Sequence, residues 1–280
     1  MNALELKNVS KSFSGFCLDN ISLTLPSGCI MGLIGENGAG KSTTIKLVLD
    51  ILHKDSGTIT ILGEDNSNNI ELLKEDIGVV MDEVGLPECL TAMQIGKVMK
   101  HSYRNWDDAE YARLLEKLNI PDNKPFKDLS RGMKMKLGIT IAMSHGAKLL
   151  LLDEPTSGLD PVVRDEVVEM FYDFTRNENH SILISSHIVS DLERLCDYVA
   201  FLHKGKLLLC EEKDVLLSEY GIIHCTNEQL YSLNEKAIKH KKETPYGIEV
   251  IVSRENTLDG FKISPISIEE LFVFMAKEAK

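Results

Sequence analysis

Apolar and polar positions alternate between residues 4 and 25, with Leu4, Leu6 and Val9, then Ile21, Leu23 and Leu25, as the apolar ones. A period of two is the mark of half-buried strands, so this stretch predicts an antiparallel β piece. From Cys29 to Ile34 the chain is continuously apolar, then meets a glycine cluster and passes into Lys41-Ser42-Thr43-Thr44-Ile45. That order predicts a buried strand, a tight loop and a helix in succession. Two further apolar runs, Lys148 to Asp153 and His180 to Ser185, are separated by a helix-length segment. Strands alternating with helices in this way predict a parallel sheet covered on both faces.

Between about residues 87 and 145 the period changes to that of a helix. Asp107 and Glu110 have the spacing of a capping box, and Tyr111, Leu114, Leu115 and Leu118 follow on one helical face. This segment reads as a helical subdomain inserted into the sheet domain. After about residue 213 the pattern breaks into short strand candidates, Gly221 to Cys225 and Ile248 to Val252, and a last helix from Ser267 that carries Ile268, Leu271 and Phe272. The expected organisation is one α/β domain over residues 1–212 and a small α+β accessory domain over residues 213–280. Lys236, Lys239, Lys241 and Lys242, with His240, read as the solvated face of a helix.

A chain of 280 residues is long enough for one large core and a small extra piece. Its formal net charge of −12 argues against a nucleic-acid surface, which needs clustered Lys and Arg facing phosphates. The six cysteines include no C-x-x-C pair, so neither a zinc site nor a disulfide framework is indicated and reduced thiols are expected. The N-terminus has no basic and apolar leader pattern, and no stretch nears the roughly 18 uninterrupted apolar residues of a spanning helix. The chain is therefore expected to stay in the cytoplasm.

The glycine cluster carries the chemistry. Gly35-Glu36-Asn37-Gly38-Ala39-Gly40-Lys41-Ser42 fits G-x-x-x-x-G-K-S/T, a loop whose backbone amides curl around phosphates at a helix N-terminus. Lys41 is placed to reach the β- and γ-phosphates, and Ser42 to ligate Mg²⁺. The run Leu149-Leu150-Leu151-Leu152 ends in Asp153 and Glu154, so that a strand projects one carboxylate towards Mg²⁺ and the next towards an attacking water. Glu154 is the candidate general base. Ser130, ahead of Arg131-Gly132-Met133, reads as the N-cap of a helix whose apolar positions are Met133, Leu137 and Ile141.

In that order these residues resemble the ATP-binding cassette (ABC) family, over residues 3 to about 210. The resemblance implies that Gly35 to Thr43, with Asn37, Gly38, Ala39 and Gly40, is the Walker A loop. It makes Asp153 and Glu154 the end of the Walker B strand, and Ser130, Gly132 and Met133 the signature. Asp160 becomes the acid of the D-loop, His187 the switch histidine, and Phe13 the aromatic that stacks on adenine, with Phe16 as its rival. It also implies a P-loop NTPase core, ATP and Mg²⁺ as cofactors, and a dimer in which each signature closes over the nucleotide of the other subunit. The partners expected are a second cassette, identical or not, and a separate transmembrane permease at the inner face of the cell membrane.

Two departures from the family pattern stand out. Asp82 follows Ile77-Gly78-Val79-Val80-Met81 where most relatives have a glutamine that touches Mg²⁺, and the signature reads Ser-Arg-Gly-Met, with Arg131 as its second residue. Shorter matches, at residues 77–82, at Arg104-Asn105-Trp106-Asp107 and in the signature run, resemble bacterial cassettes that serve peptide, toxin or antibiotic export. A competing reading is a soluble ABC ATPase acting as a clamp on ribosomes or DNA. It sits poorly with a single cassette, no heptad run and an acidic balance.

Overall fold

The computed structural model describes residues 1–68, 70–245, 247–256 and 260–279. The chain divides into two compact units, Met1–Cys210 and Glu211–Lys280. In chain order the first begins with β1 (Asn2–Phe13), β2 (Phe16–Pro26), β3 (Ile30–Gly35), α1 (Lys41–Val48), β4 (Ser56–Ile61) and β5 (Glu64–Asp65). Next come α2 (Ile70–Leu73), β6 (Ile77–Val80), α3 (Ala92–Ser102), α4 (Asp108–Lys117) and α5 (Arg131–Met143). It continues through β7 (Leu149–Asp153), α6 (Pro161–Thr175), β8 (Ser181–Ser186), α7 (Val189–Leu195), β9 (Tyr198–His203) and most of β10 (Lys206–Glu212), whose last two residues belong to the second unit.

The alternation between residues 4 and 25 becomes a β1–β2 antiparallel pair with Leu6 opposite Leu23 and Val9 opposite Ile21, in a sheet of order β2-β1-β4-β5. One face buries Leu4, Leu6, Ile21 and Leu25 completely. The apolar runs form the second sheet, ordered β10-β9-β3-β8-β7-β6, in which β3 pairs in parallel with β8 and β9, and β7 with β6 and β8. Every residue of β3, β7 and β8 is buried, as strands covered on both faces require. The C-terminal ends of β3, β7 and β8 therefore lie side by side, which is where a parallel sheet places its ligands.

Helices α3, α4 and α5 come from the segment between β6 and β7. The expected capping box at Asp107 is not formed. Asp107 does cap α4, accepting from the amides of Ala109 at 2.8 Å and Glu110 at 3.0 Å, but the Glu110 carboxylate turns to Arg113 instead. The Asp107 amide donates to the Ser144 carbonyl at 2.8 Å, so a tertiary acceptor replaces the local one.

The second unit continues with α8 (Lys213–Glu219), β11 (Tyr220–Cys225), α9 (Asn227–Leu230), β12 (Ile238–Thr244), β13 (Gly247–Ser253), β14 (Ile263–Ser264) and α10 (Ile268–Glu278). Its sheet has the order β12-β13-β11-β14 around Ile223, Val250 and Val252. The predicted strands and last helix are present, and Ser267 opens α10 with a full capping box to Glu270. The basic run from Lys236 to Lys242 is the exception: from Ile238 onwards it is edge strand β12, not a helix face. Lys239, Lys241 and Lys242 point to water while Ile238 and His240 are half-buried, and an edge strand dressed with lysines resists pairing with another chain.

Candidate functional site

Strand β3 ends at Gly35, and the chain reaches α1 through a loop in which Gly38 (φ +81°) and Gly40 (φ +113°) take the left-handed conformation. A side chain at Gly40 would also collide: its Cβ would lie 2.8 Å from Leu18 Cδ1 and 3.0 Å from Phe16 Cζ. No side chain caps α1, so the amides of its first turn are left for an anion. Lys41 is buried and folds back over the loop, donating to the carbonyls of Gly35 at 2.7 Å and Glu36 at 3.3 Å.

Strand β7 delivers the two carboxylates. Asp153 is 2% exposed, and its Oδ1 accepts from Ser185 Oγ at 2.6 Å. Glu154 follows at φ +52°, a conformation rare for a residue with a side chain, and its amide donates to Ser185 O and Oγ, both at 3.1 Å. That turn directs the Glu154 carboxylate between two basic groups. Oε2 lies 2.7 Å from His187 Nδ1 and accepts the His187 amide at 3.3 Å. Oε1 is buried, receives no hydrogen bond, and stands at an ion-pair distance of 3.1 Å from Lys41 Nζ. With the carboxylate ionised, the short contact at Oε2 requires the imidazole proton on Nδ1.

Around Lys41 lies an open cavity of about 440 Å³, lined by Phe16, Glu36, Asn37, Gly38, Gly40, Lys41, Ser42, Thr43, Asp82 and Glu154. The structure thus brings the loop residues together with Glu154, Asp82 and, through the Glu154 contact, His187. Phe13 is 42% exposed and outside this lining, with its ring 6.2 Å from that of Phe16. Ser130, Gly132, Met133 and Asp160 are also outside it. Ser130 caps α5, its Oγ accepting the Met133 amide at 3.3 Å, and Asp160 caps α6, accepting the Val162 and Val163 amides at 3.1 Å. Gly132 packs on Val163, so the starts of α5 and α6 form one surface.

Sequence reasoning did not find Ser185, which holds Asp153 and the Glu154 amide together. Its signal was faint: a hydroxyl pair, Ser185-Ser186, closing an otherwise apolar strand.

A parallel sheet, a phosphate loop at the end of its buried strand and an acidic pair on the neighbouring strand define a P-loop nucleotide-binding protein. The family model described as ABC transporter matches residues 18–157. The lantibiotic transport ATP-binding protein SrtF of Streptococcus pyogenes is 38% identical over 214 residues, covering 75% of this chain and 91% of that protein. The bacitracin transport ATP-binding protein BcrA of Enterococcus faecalis is 32% identical over 208 residues, covering 73% of this chain and 68% of that protein. A solved ATP-binding subunit of an ABC transporter superposes with a TM-score of 0.67 at 29% identity, over 76% of this chain and 91% of that one. The chain belongs to the ABC transporter family, as an ATP-binding, ATP-hydrolysing subunit.

Proposed function

We propose that this chain hydrolyses MgATP in the Lys41 cavity as one half of a cassette dimer, and that the cycle drives export of a peptide-like compound through a separate transmembrane subunit. One observation carries the chemistry: Glu154 is held by His187 on Oε2 while Oε1, buried and without a hydrogen bond, is left beside Lys41. A carboxylate fixed at one oxygen, and released at the other once Lys41 turns to the phosphates, is arranged to accept a proton from a water at the phosphate cavity.

In this reading Lys41 exchanges the Gly35 and Glu36 carbonyls for the β- and γ-phosphates, the α1 amides hold the phosphate oxygens, and Thr43 and Asn37 line their approach. The Phe13–Phe16 hairpin offers aromatic faces for adenine, Phe16 from within the cavity lining. His187 keeps Glu154 turned towards the water. Ser42 and Asp82 line the cavity and Asp153 precedes Glu154, an all-oxygen set suited to Mg²⁺. Among the described residues no group of three or more His, Cys, Asp or Glu could hold a metal ion. When bound, Mg²⁺ supplies charge neutralisation on the β- and γ-phosphates.

The proposed dimer completes the site in the way the family resemblance implies. Ser130, Gly132, Met133 and Asp160 form a surface outside the cavity of their own chain, and a second subunit, identical or not, presents that surface across the nucleotide. Among the described residues no helix is long and apolar enough to cross a membrane; in the proposed arrangement the transmembrane path belongs to a partner at the inner membrane face. The transport functions in the names of SrtF and BcrA support a peptide-antibiotic cargo.

The test is Glu154→Gln. The variant should retain ATP with turnover reduced at least about a hundredfold, and when trapped with ATP and extracted gently from its native cell it should bring down a polytopic membrane protein. Recovery of ribosomes or DNA instead, or unchanged turnover, would sink the proposal.

A further inference from the structure

The phosphate cavity has a charge problem of its own. Among the described residues its lining holds three carboxylates, Glu36, Asp82 and Glu154, against a single cation, Lys41. Lys41 already faces Glu154, and Glu36 lies 3.7 Å from His203. Asp82 is left at the end of β6, facing a cavity that must admit a polyanion.

Its counter-charge arrives from elsewhere in the fold. Nη2 of Arg131, the first residue of α5, donates to Asp82 Oδ1 at 3.4 Å. The other end of the guanidinium rests on Gly158, where a Cβ would lie only 2.8 Å from Nη1 and 3.0 Å from Cζ. A side chain at Gly158 would push this end of the guanidinium aside. One side chain thus joins the end of β6, the start of α5 and the loop after β7.

We infer that Arg131 is a positioning residue for the nucleotide site of its own subunit: lying over Gly158, it neutralises Asp82 and holds that carboxylate towards α5, so that it does not oppose entry of the triphosphate. The inference rests on the Lys41 cavity being the nucleotide site. The side chains are 57% and 55% exposed, so the pair is screened by water and salt and its effect is modest. It accounts for an aspartate and an arginine standing together as the two departures visible in the motifs.

The experiment uses the full chain with Arg131→Gln, Asp82→Asn, the double variant, Arg131→Lys and Lys41→Ala. A fluorescent ATP analogue is titrated with and without Mg²⁺ at low and high salt, beside steady-state KM and kcat. Arg131→Gln should weaken Mg-free binding about fivefold at low salt, with a smaller loss when Mg²⁺ or salt screens the phosphates, and should raise KM more than it lowers kcat. Arg131→Lys should recover most of the loss. In the Mg-free titration, where Asp82 has no cation to hold, Asp82→Asn in the Arg131→Gln background should tighten binding at least threefold relative to Arg131→Gln alone, because the acid that needed compensation is gone. A double variant no tighter than Arg131→Gln, or an Arg131→Gln chain that binds as the parent does, overturns the inference while leaving Lys41-dependent binding intact. Binding insensitive to Lys41→Ala would overturn the nucleotide site itself, and this inference with it.

Discussion

Glu154 occupies a backbone conformation, φ +52°, that costs energy for any residue with a side chain, and the surrounding bonds hold it there. Ser185 takes its amide, His187 takes one carboxylate oxygen, and Lys41 stands beside the other. If His187 acts by aiming that carboxylate, its loss damages turnover more than binding. His187→Ala should lower the rate of phosphate release about a hundredfold while ATP affinity changes less than about threefold. Equal losses in both would place His187 in binding instead.

At the scale of elements, two helices begin with the same device and different consequences. Asp107 caps α4 with two amide bonds, and Ser130 caps α5 with one. Replacing either by Ala should cost about 1 kcal/mol in urea unfolding. Asp107 takes no part in the proposed site, so Asp107→Ala should leave KM and kcat near those of the parent at a temperature where both are folded. Ser130→Ala should also lower turnover, because the start of α5 is proposed to meet the nucleotide of the partner subunit. If the two variants lose turnover equally, the trans role of Ser130 is wrong.

For the whole molecule, the junction between the helical segment and the sheet contains a histidine that responds to acid. His145 is fully buried, stacks on Tyr103 with ring centroids 4.0 Å apart, and bonds through Nδ1 to the Glu75 carbonyl at 3.1 Å, while Nε2 has no partner. Burial pushes its pKa below the ordinary 6.5, against the smaller opposing pull of the Glu75 carbonyl and nearby carboxylates. The unfolded chain therefore takes up this proton at a higher pH than the folded one. Its contribution to stability is complete above pH 6.5 and falls as the pH drops from 6.5 towards the depressed folded value. His145→Phe keeps a ring against Tyr103 and removes the titration. The parent should lose more melting temperature than this variant between pH 7.5 and 5.5 (round values on either side of about 6.5), and equal losses would show that His145 is not the group responsible.

What the sequence determined by itself is what the chain builds from neighbouring residues. The phosphate loop is eight consecutive positions between a buried strand and a helix, and the alternation of Leu4 to Leu25 and the apolar runs at β3, β7 and β8 follow from side-chain period alone. Local pattern misled where a distant group supplied the partner. Glu110 left the Asp107 cap because the Ser144 carbonyl took its place, and the lysines around His240 joined a sheet because β13 lay alongside to pair with them. Tertiary structure alone decided that Ser185 holds the Asp153 carboxylate and the Glu154 amide, that Phe16 and not Phe13 lines the cavity, and that Arg131 reaches Asp82 from 49 residues away. Neighbouring residues fix the local turns, but only the parallel pairing of β3, β8 and β7 side by side in one sheet brings Lys41 and His187 within bonding distance of Glu154.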